Sequence, residues 1–180
     1  IPSARAKWHD YNGGMYFVTV CTQNREHYFG EIQDGAMHLT EIGKCLNEEI
    51  VKTPKMRADM NLEIPLYVIM PNHIHLIVII GNNTYNSGDC WNDKNAGIND
   101  GRDAMHCVST DGPINKFAPQ SKNLSSVIRG IKISTTTYAR HHNLPFAWQP
   151  RFHDHIIRGN KDMNKIADYI ENNVARWEYD

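Results

Sequence analysis

Two His-x-His triplets and a tyrosine–asparagine pair are the side chains best spaced to do chemistry. His73-Ile74-His75 opens an apolar run. Side chains alternate faces along a strand, so both imidazoles would share one face while Ile74 enters the opposite layer. Two adjacent imidazoles begin a divalent-metal site. They are equally what a hydrogen-bonded pair at a sheet edge looks like, and a catalytic metal needs a third protein group plus open positions. His153-Asp154-His155 repeats the spacing around a charged residue, which suits an edge strand flanking a site or a purely structural role. Tyr169 and Asn173 are four apart in a helical stretch and share one face, as do Asp168 and Asn172. A helical tyrosine alone is ordinarily packing. Cys90, His106 and Cys107 match no structural zinc spacing, and His141-His142 at a helix end suits the dipole.

The elements that must carry these groups are legible from patterning. Residues 15–22 are β-branched and aromatic and follow Gly13-Gly14, which predicts a buried strand. Asp34-Gly35 is a hairpin signal. Thr40 is a suitable N-cap for a helix over 41–52, with Ile42, Leu46, Ile50 and Val51 at helical spacing and an end near Pro54. Residues 62–70 and 73–80 form two strands around Pro71-Asn72. Residues 81–120 are rich in Asn, Asp, Gly and Ser and are expected to be a flexible insertion. Leu124, Val127, Ile128, Ile131 and Tyr138 predict a second helix ending near Asn143. A short strand follows at 152–158 and a last helix at 162–177, with Ile166, Ile170 and Val174 on its buried face. The fold class is therefore α+β: one domain over 1–180, a ferredoxin-like βαββαβ plait with an antiparallel sheet plus a C-terminal helix that carries Tyr169.

The 180 residues suffice for one core, and 41% apolar with 22% charged content excludes wholesale disorder. The longest apolar runs fall far short of a membrane span, so no membrane role is expected. The chain begins at Ile1 without a basic-then-apolar leader, and its four cysteines lack framework spacing. Both point to free thiols in the cytoplasm. The net charge of −1 hides an uneven distribution. Residues 121–160 carry Lys122, Arg129, Lys132, Arg140, Arg151 and Arg158 against Asp154 alone. Such a block can dock a polyanion whatever the total charge, although a charge cluster is also what a solvated face looks like.

Four segments in order, MYFVTVCTQNR (15–25), YVIMPNHIHLIVII (67–80), NLSSVIRGIKISTTTYAR (123–140) and WQPRFHDHIIRGNKDMNKIADYIENNVARW (148–177), resemble the single-tyrosine HUH transposases. Among these they are most similar to the REP-associated tyrosine transposases and their insertion-sequence relatives. The resemblance implies the same ferredoxin-like fold. It also implies that His73 and His75 hold a divalent ion, Mg²⁺ or Mn²⁺, with the Asn173 amide oxygen as third ligand and Tyr169 as nucleophile. Relatives have Asn-Pro where this chain has Asn173-Val174, and without that proline the helix is expected to run on.

The implied chemistry is nicking and strand transfer on single-stranded DNA beside a short hairpin, through a 5′-phosphotyrosine. Arg129, Lys132, Arg140, Arg151, Arg158 and His155 are the candidate DNA contacts, with Trp148 and Phe152 able to stack unpaired bases or to serve as core. Some relatives are homodimers whose tyrosine helix completes the partner's site, and others are monomers. Two alternatives remain open: an inactive DNA-hairpin binder, and a plait-type RNA-binding module. The latter needs exposed strand aromatics, whereas Tyr16 and Phe17 look buried.

Overall fold

Alternation along the first strand sets the plan of the molecule. In a computed structural model that describes residues 9, 11–86 and 121–179, β1 (Gly14–Cys21) buries Tyr16, Val18 and Val20 on one face. Met15, Phe17 and Thr19 point to the other. A separate hairpin follows, β2 (Gly30–Gln33) and β3 (Ala36–Leu39). Its two-residue turn is Asp34-Gly35, with φ of 51° and 74°, the left-handed pair that matches strand twist.

Helix α1 (Glu41–Met56) starts where Thr40 accepts a hydrogen bond from the Gly43 amide at 3.1 Å. It runs past its expected end, with Pro54 inside the last turn, where the missing N–H leaves the Ile50 carbonyl without its intrahelical donor. Strands β4 (Leu62–Met70) and β5 (His73–Ile80) flank the Pro71-Asn72 turn as expected. Helix α2 (Leu124–His141) is opened by a capping box between Asn123 and Ser126. Then come β6 (His153–Ile156), shorter than the predicted strand, and α3 (Asn160–Glu171).

The main sheet has the order β4-β5-β1-β6 and is antiparallel throughout, the order of the expected plait with β5 and β1 at its centre. Helices α1 and α2 cover one face: Leu46, Ile50, Val127, Ile128 and Ile131 pack with Val18, Val20, Ile74, Leu76 and Val78 in the main core. Helix α3 covers the other face through a smaller cluster of Ile77, Ile157 and Ile170. At about 1.5–3 kcal/mol per fully buried aliphatic side chain, α3 is held far less firmly than the helices opposite.

One expectation needs correcting here. The last helix does not run to 177: it ends at Glu171, and a 3-10 segment (Val174–Tyr179) follows. Asn172 closes the helix end, its backbone and side-chain amides both donating to the Asp168 carbonyl, at 3.2 and 2.7 Å. Most of the predicted insertion, with Cys90, His106 and Cys107, lies outside the described residues. Among the described residues no helix is long and apolar enough to cross a membrane.

Candidate active site

Strand β5 delivers His73 and His75 to the α3 face, with Ile74 in the main core behind them. Both histidines are nearly inaccessible, 3% and 5% exposed. Nδ1 of His73 donates to Asn72 Oδ1 at 2.7 Å, and because that oxygen only accepts, Nε2 carries the lone pair in the neutral form of the ring. Nδ1 of His75 meets the Thr19 hydroxyl at 2.9 Å, a group able to donate or accept. The two Nε2 atoms stand 3.0 Å apart. In one tautomer His75 Nε2–H bridges to His73. In the other, two lone pairs face each other and call for a cation between them.

Helix α3 brings the phenol. The Tyr169 hydroxyl lies 3.3 Å from His75 Nε2, and both belong to one chain. Phe17 sets their relative placement: its ring stacks on His75 at 5.2 Å and meets Tyr169 edge-on at 6.0 Å. Burial, the neighbouring His73 and the Arg25 guanidinium, in that order, push the His75 pKa down to about 3, so the ring is neutral at neutral pH. A neutral imidazole with its Nδ1 occupied is the form that binds a metal.

Asn173 is the third residue expected at the site. It is 3% exposed and its side-chain oxygen has no hydrogen-bond partner. Tyr169 touches His75 four residues before it, and Trp177 packs 6.1 Å from His73 four residues after it. A buried carboxamide oxygen without a donor costs about 1–3 kcal/mol unless something binds it.

The residues present therefore fit a hard divalent ion. Two imidazole nitrogens at 3.0 Å are spaced like neighbouring ligands of an octahedral ion, about 3 Å for bonds of 2.0–2.1 Å, and the buried, partnerless Asn173 oxygen lies in the chain between Tyr169 and Trp177, which contact the two rings. Among the described residues no third His, Cys, Asp or Glu joins the pair.

The other expected site residues separate into two groups. Arg129, Lys132, Arg140 and Arg151 line one groove of about 470 Å³ with Trp148 and Phe152, on the α2 side of the sheet and across it from Tyr169. Lys132 is largely committed within the protein: its ammonium donates to the carbonyls of Gln149 at 2.8 Å and Arg151 at 3.0 Å, and burial lowers its pKa. Trp148 packs against Phe29 and Phe146 and donates to the Lys132 carbonyl, so much of it is core.

His155 and Arg158 lie instead at the start of α3. His155 Nε2 is 2.9 Å from Asp162, and the Arg158 amide donates to the same carboxylate oxygen at 3.1 Å. The strand register puts His153 opposite Thr19 and His155 opposite Phe17, so both share the face of His75. Tyr67 and Tyr138 are bound elsewhere, to Asn47 and Glu41. Sequence reasoning missed Thr19, Asn72, Phe17 and Trp177. Their signal is the cross-strand register and the chain's turn after Asn173, neither of which a linear pattern shows.

No family model matches the chain. An uncharacterised protein of Haemophilus influenzae (strain Rd) is 30% identical over 190 residues, covering 99% of this chain and 90% of that protein. A REP-associated tyrosine transposase of Escherichia coli K12 is 26% identical over 164 residues, 91% of this chain and 68% of that protein. In fold the chain is similar to a solved REP-associated tyrosine transposase bound to a REP hairpin, with a TM-score of 0.60 at 23% identity over 100% of this chain and 76% of the other. Thr19, Asn72 and the two histidines thus sit in a chain that belongs to one family with the Haemophilus influenzae protein and is similar in sequence and fold to REP-associated tyrosine transposases.

Proposed function

We propose that this protein nicks single-stranded DNA and rejoins it to a second end, using Tyr169 as nucleophile and a divalent ion, Mg²⁺ or Mn²⁺, held by His73, His75 and Asn173. One observation carries the reading: a phenol lies against a pair of buried imidazoles whose Nε2 atoms face each other, and the chain just past the helix that carries the phenol holds a partnerless buried amide oxygen. When bound, the ion would supply a Lewis acid for a non-bridging phosphate oxygen.

The protein's own groups do the rest. Asn72 and Thr19 fix the rings so that their Nε2 edges face the phenol. Phe17 holds the Tyr169 ring edge-on and keeps water from one side of it. The Tyr169 oxygen attacks phosphorus and gives up its proton. The bond from phosphorus to the 3′ oxygen breaks, that oxygen leaves as a 3′-hydroxyl, and the 5′ phosphate stays on the tyrosine. Attack by another 3′-hydroxyl reverses the step and restores the phenol, with no external energy source. The groove lined by Arg129, Arg140 and Arg151 is placed to hold the flanking DNA, which must then pass the β6 edge to reach Tyr169. A hairpin is the expected form of that DNA, as in the complex of the similar transposase.

The test is incubation with single-stranded hairpin DNA and Mn²⁺ followed by denaturing electrophoresis. A protein–DNA adduct that disappears in Tyr169→Phe and in His73→Ala, while hairpin affinity stays within a few-fold, is the expected result. Hairpin binding with no adduct from the parent protein would mark an inactive binder, and preference for RNA would overturn the reading.

A further inference from the structure

The chain leaves β1 at Cys21, which pairs with His73, and makes a tight 3-10 turn over Gln23–Arg25. This turn is fixed on every side. The Thr22 amide donates to the Asn72 carbonyl at 2.9 Å, and its hydroxyl reaches the same carbonyl and that of Glu26. The Gln23 amide donates to the Ala147 carbonyl at 2.9 Å. His27 packs 5.6 Å from Trp177, whose ring in turn lies against His73. Arg25 therefore projects from between a residue bonded to Asn72, the orienter of His73, and one that abuts the aromatic cover of His73.

Its backbone is unusual as well. Asn24 and Arg25 both have left-handed φ, 55° and 58°, which costs a non-glycine residue roughly 1–2 kcal/mol each. Among the described residues the exposed Arg25 guanidinium has no hydrogen-bond or ion-pair partner. Its field nevertheless reaches His75. A rigidly mounted, unpaired cation at the rim of a site built for a phosphodiester is a phosphate ligand in waiting.

We infer that Arg25 is a catalytic residue, gripping the non-bridging oxygens of the scissile phosphate opposite the His73–His75 pair. This rests on the proposed nicking reaction. The planar guanidinium offers two parallel N–H donors to two phosphate oxygens, and as the tyrosine oxygen approaches it meets the growing equatorial charge. The bonded turn fixes the backbone from which the guanidinium reaches the phosphate.

The experiment compares Arg25→Gln, which keeps length and exposure without charge, and Arg25→Lys, which keeps charge without the fork. Adduct formation with saturating hairpin DNA and Mn²⁺ should slow roughly 100-fold in Arg25→Gln and recover in part in Arg25→Lys. With a methylphosphonate at the scissile position, the difference between parent and Arg25→Gln should shrink to within a few-fold, because a neutral phosphonate with one non-bridging oxygen offers neither the charge nor the second oxygen that the guanidinium fork grips. In a Tyr169→Phe background, which cannot cleave, Arg25→Gln should lower the slope of log affinity against log salt by about 0.7 for single-stranded DNA. Unchanged adduct rates together with an unchanged salt slope would overturn the inference. A parent protein that makes no adduct but loses the salt slope on Arg25→Gln would sink the nicking reaction and leave the phosphate contact standing.

Discussion

Asn173 Oδ1 is buried and has no donor within reach, an expensive position for a neutral amide. Its cost makes a two-sided prediction. Asn173→Leu keeps the volume and removes the orphan oxygen, so the metal-free protein should gain about 1–2 kcal/mol, read as a rise in melting temperature. The same variant should lose the extra stabilisation that Mn²⁺ gives the parent and should make no adduct. A drop in melting temperature without metal would mean that the oxygen is satisfied after all. The two histidines could be picked from the sequence because a strand's period of two fixes which residues share a face. Thr19 could not, because its role follows only from lying opposite His75 in the neighbouring strand.

Helix α2 is opened by Asn123, whose side chain accepts from the Ser126 amide at 3.0 Å while the Ser126 hydroxyl returns to the Asn123 amide. Asn123→Ala should cost about 1 kcal/mol in urea denaturation, within the usual range for removing such a cap, with little change in hairpin affinity. A destabilisation no larger than that of an exposed alanine substitution would rule the cap out as a contributor. Elements with local signals were legible: the Asp34-Gly35 turn, the Thr40 cap and the paired strands around Pro71-Asn72. The end of α3 was not. Ile166, Ile170 and Val174 keep helical spacing through the break, and the stop comes from Asn172 bonding back to Asp168, which apolar periodicity does not register.

At the scale of the whole molecule, His75 couples the site to folding. Its pKa in the native state is about 3, against 6.5 when free. Above pH 6.5 the ring is neutral folded or unfolded, and its contribution to stability is fully present. As pH falls from 6.5 toward 3 the unfolded chain takes up a proton that the native one refuses, and stability is lost, by at most about 5 kcal/mol. Urea midpoints measured without divalent metal at pH 7, 5 and 4 should fall more steeply for the parent than for His75→Asn; parallel curves would contradict the shift. The plait itself was readable from element order alone. The separation of the basic groove from Tyr169 was not, because charge along a sequence does not say which side of a sheet it will occupy.

Asp59 sits at the other pole. Its carboxylate accepts from Tyr85 at 3.2 Å and pairs with Lys122, so the chain departs after β5 and returns before α2 at one anchor. That anchor lies near Ile80, seven residues along β5 from His73 or about 24 Å of extended strand. The two moorings therefore sit at the far end from the chemistry, and lengthening the polypeptide that joins them changes closure entropy only by about 0.6 kcal/mol per doubling. A fluorescent or affinity cassette plugged in there would report on the protein while leaving the tyrosine undisturbed.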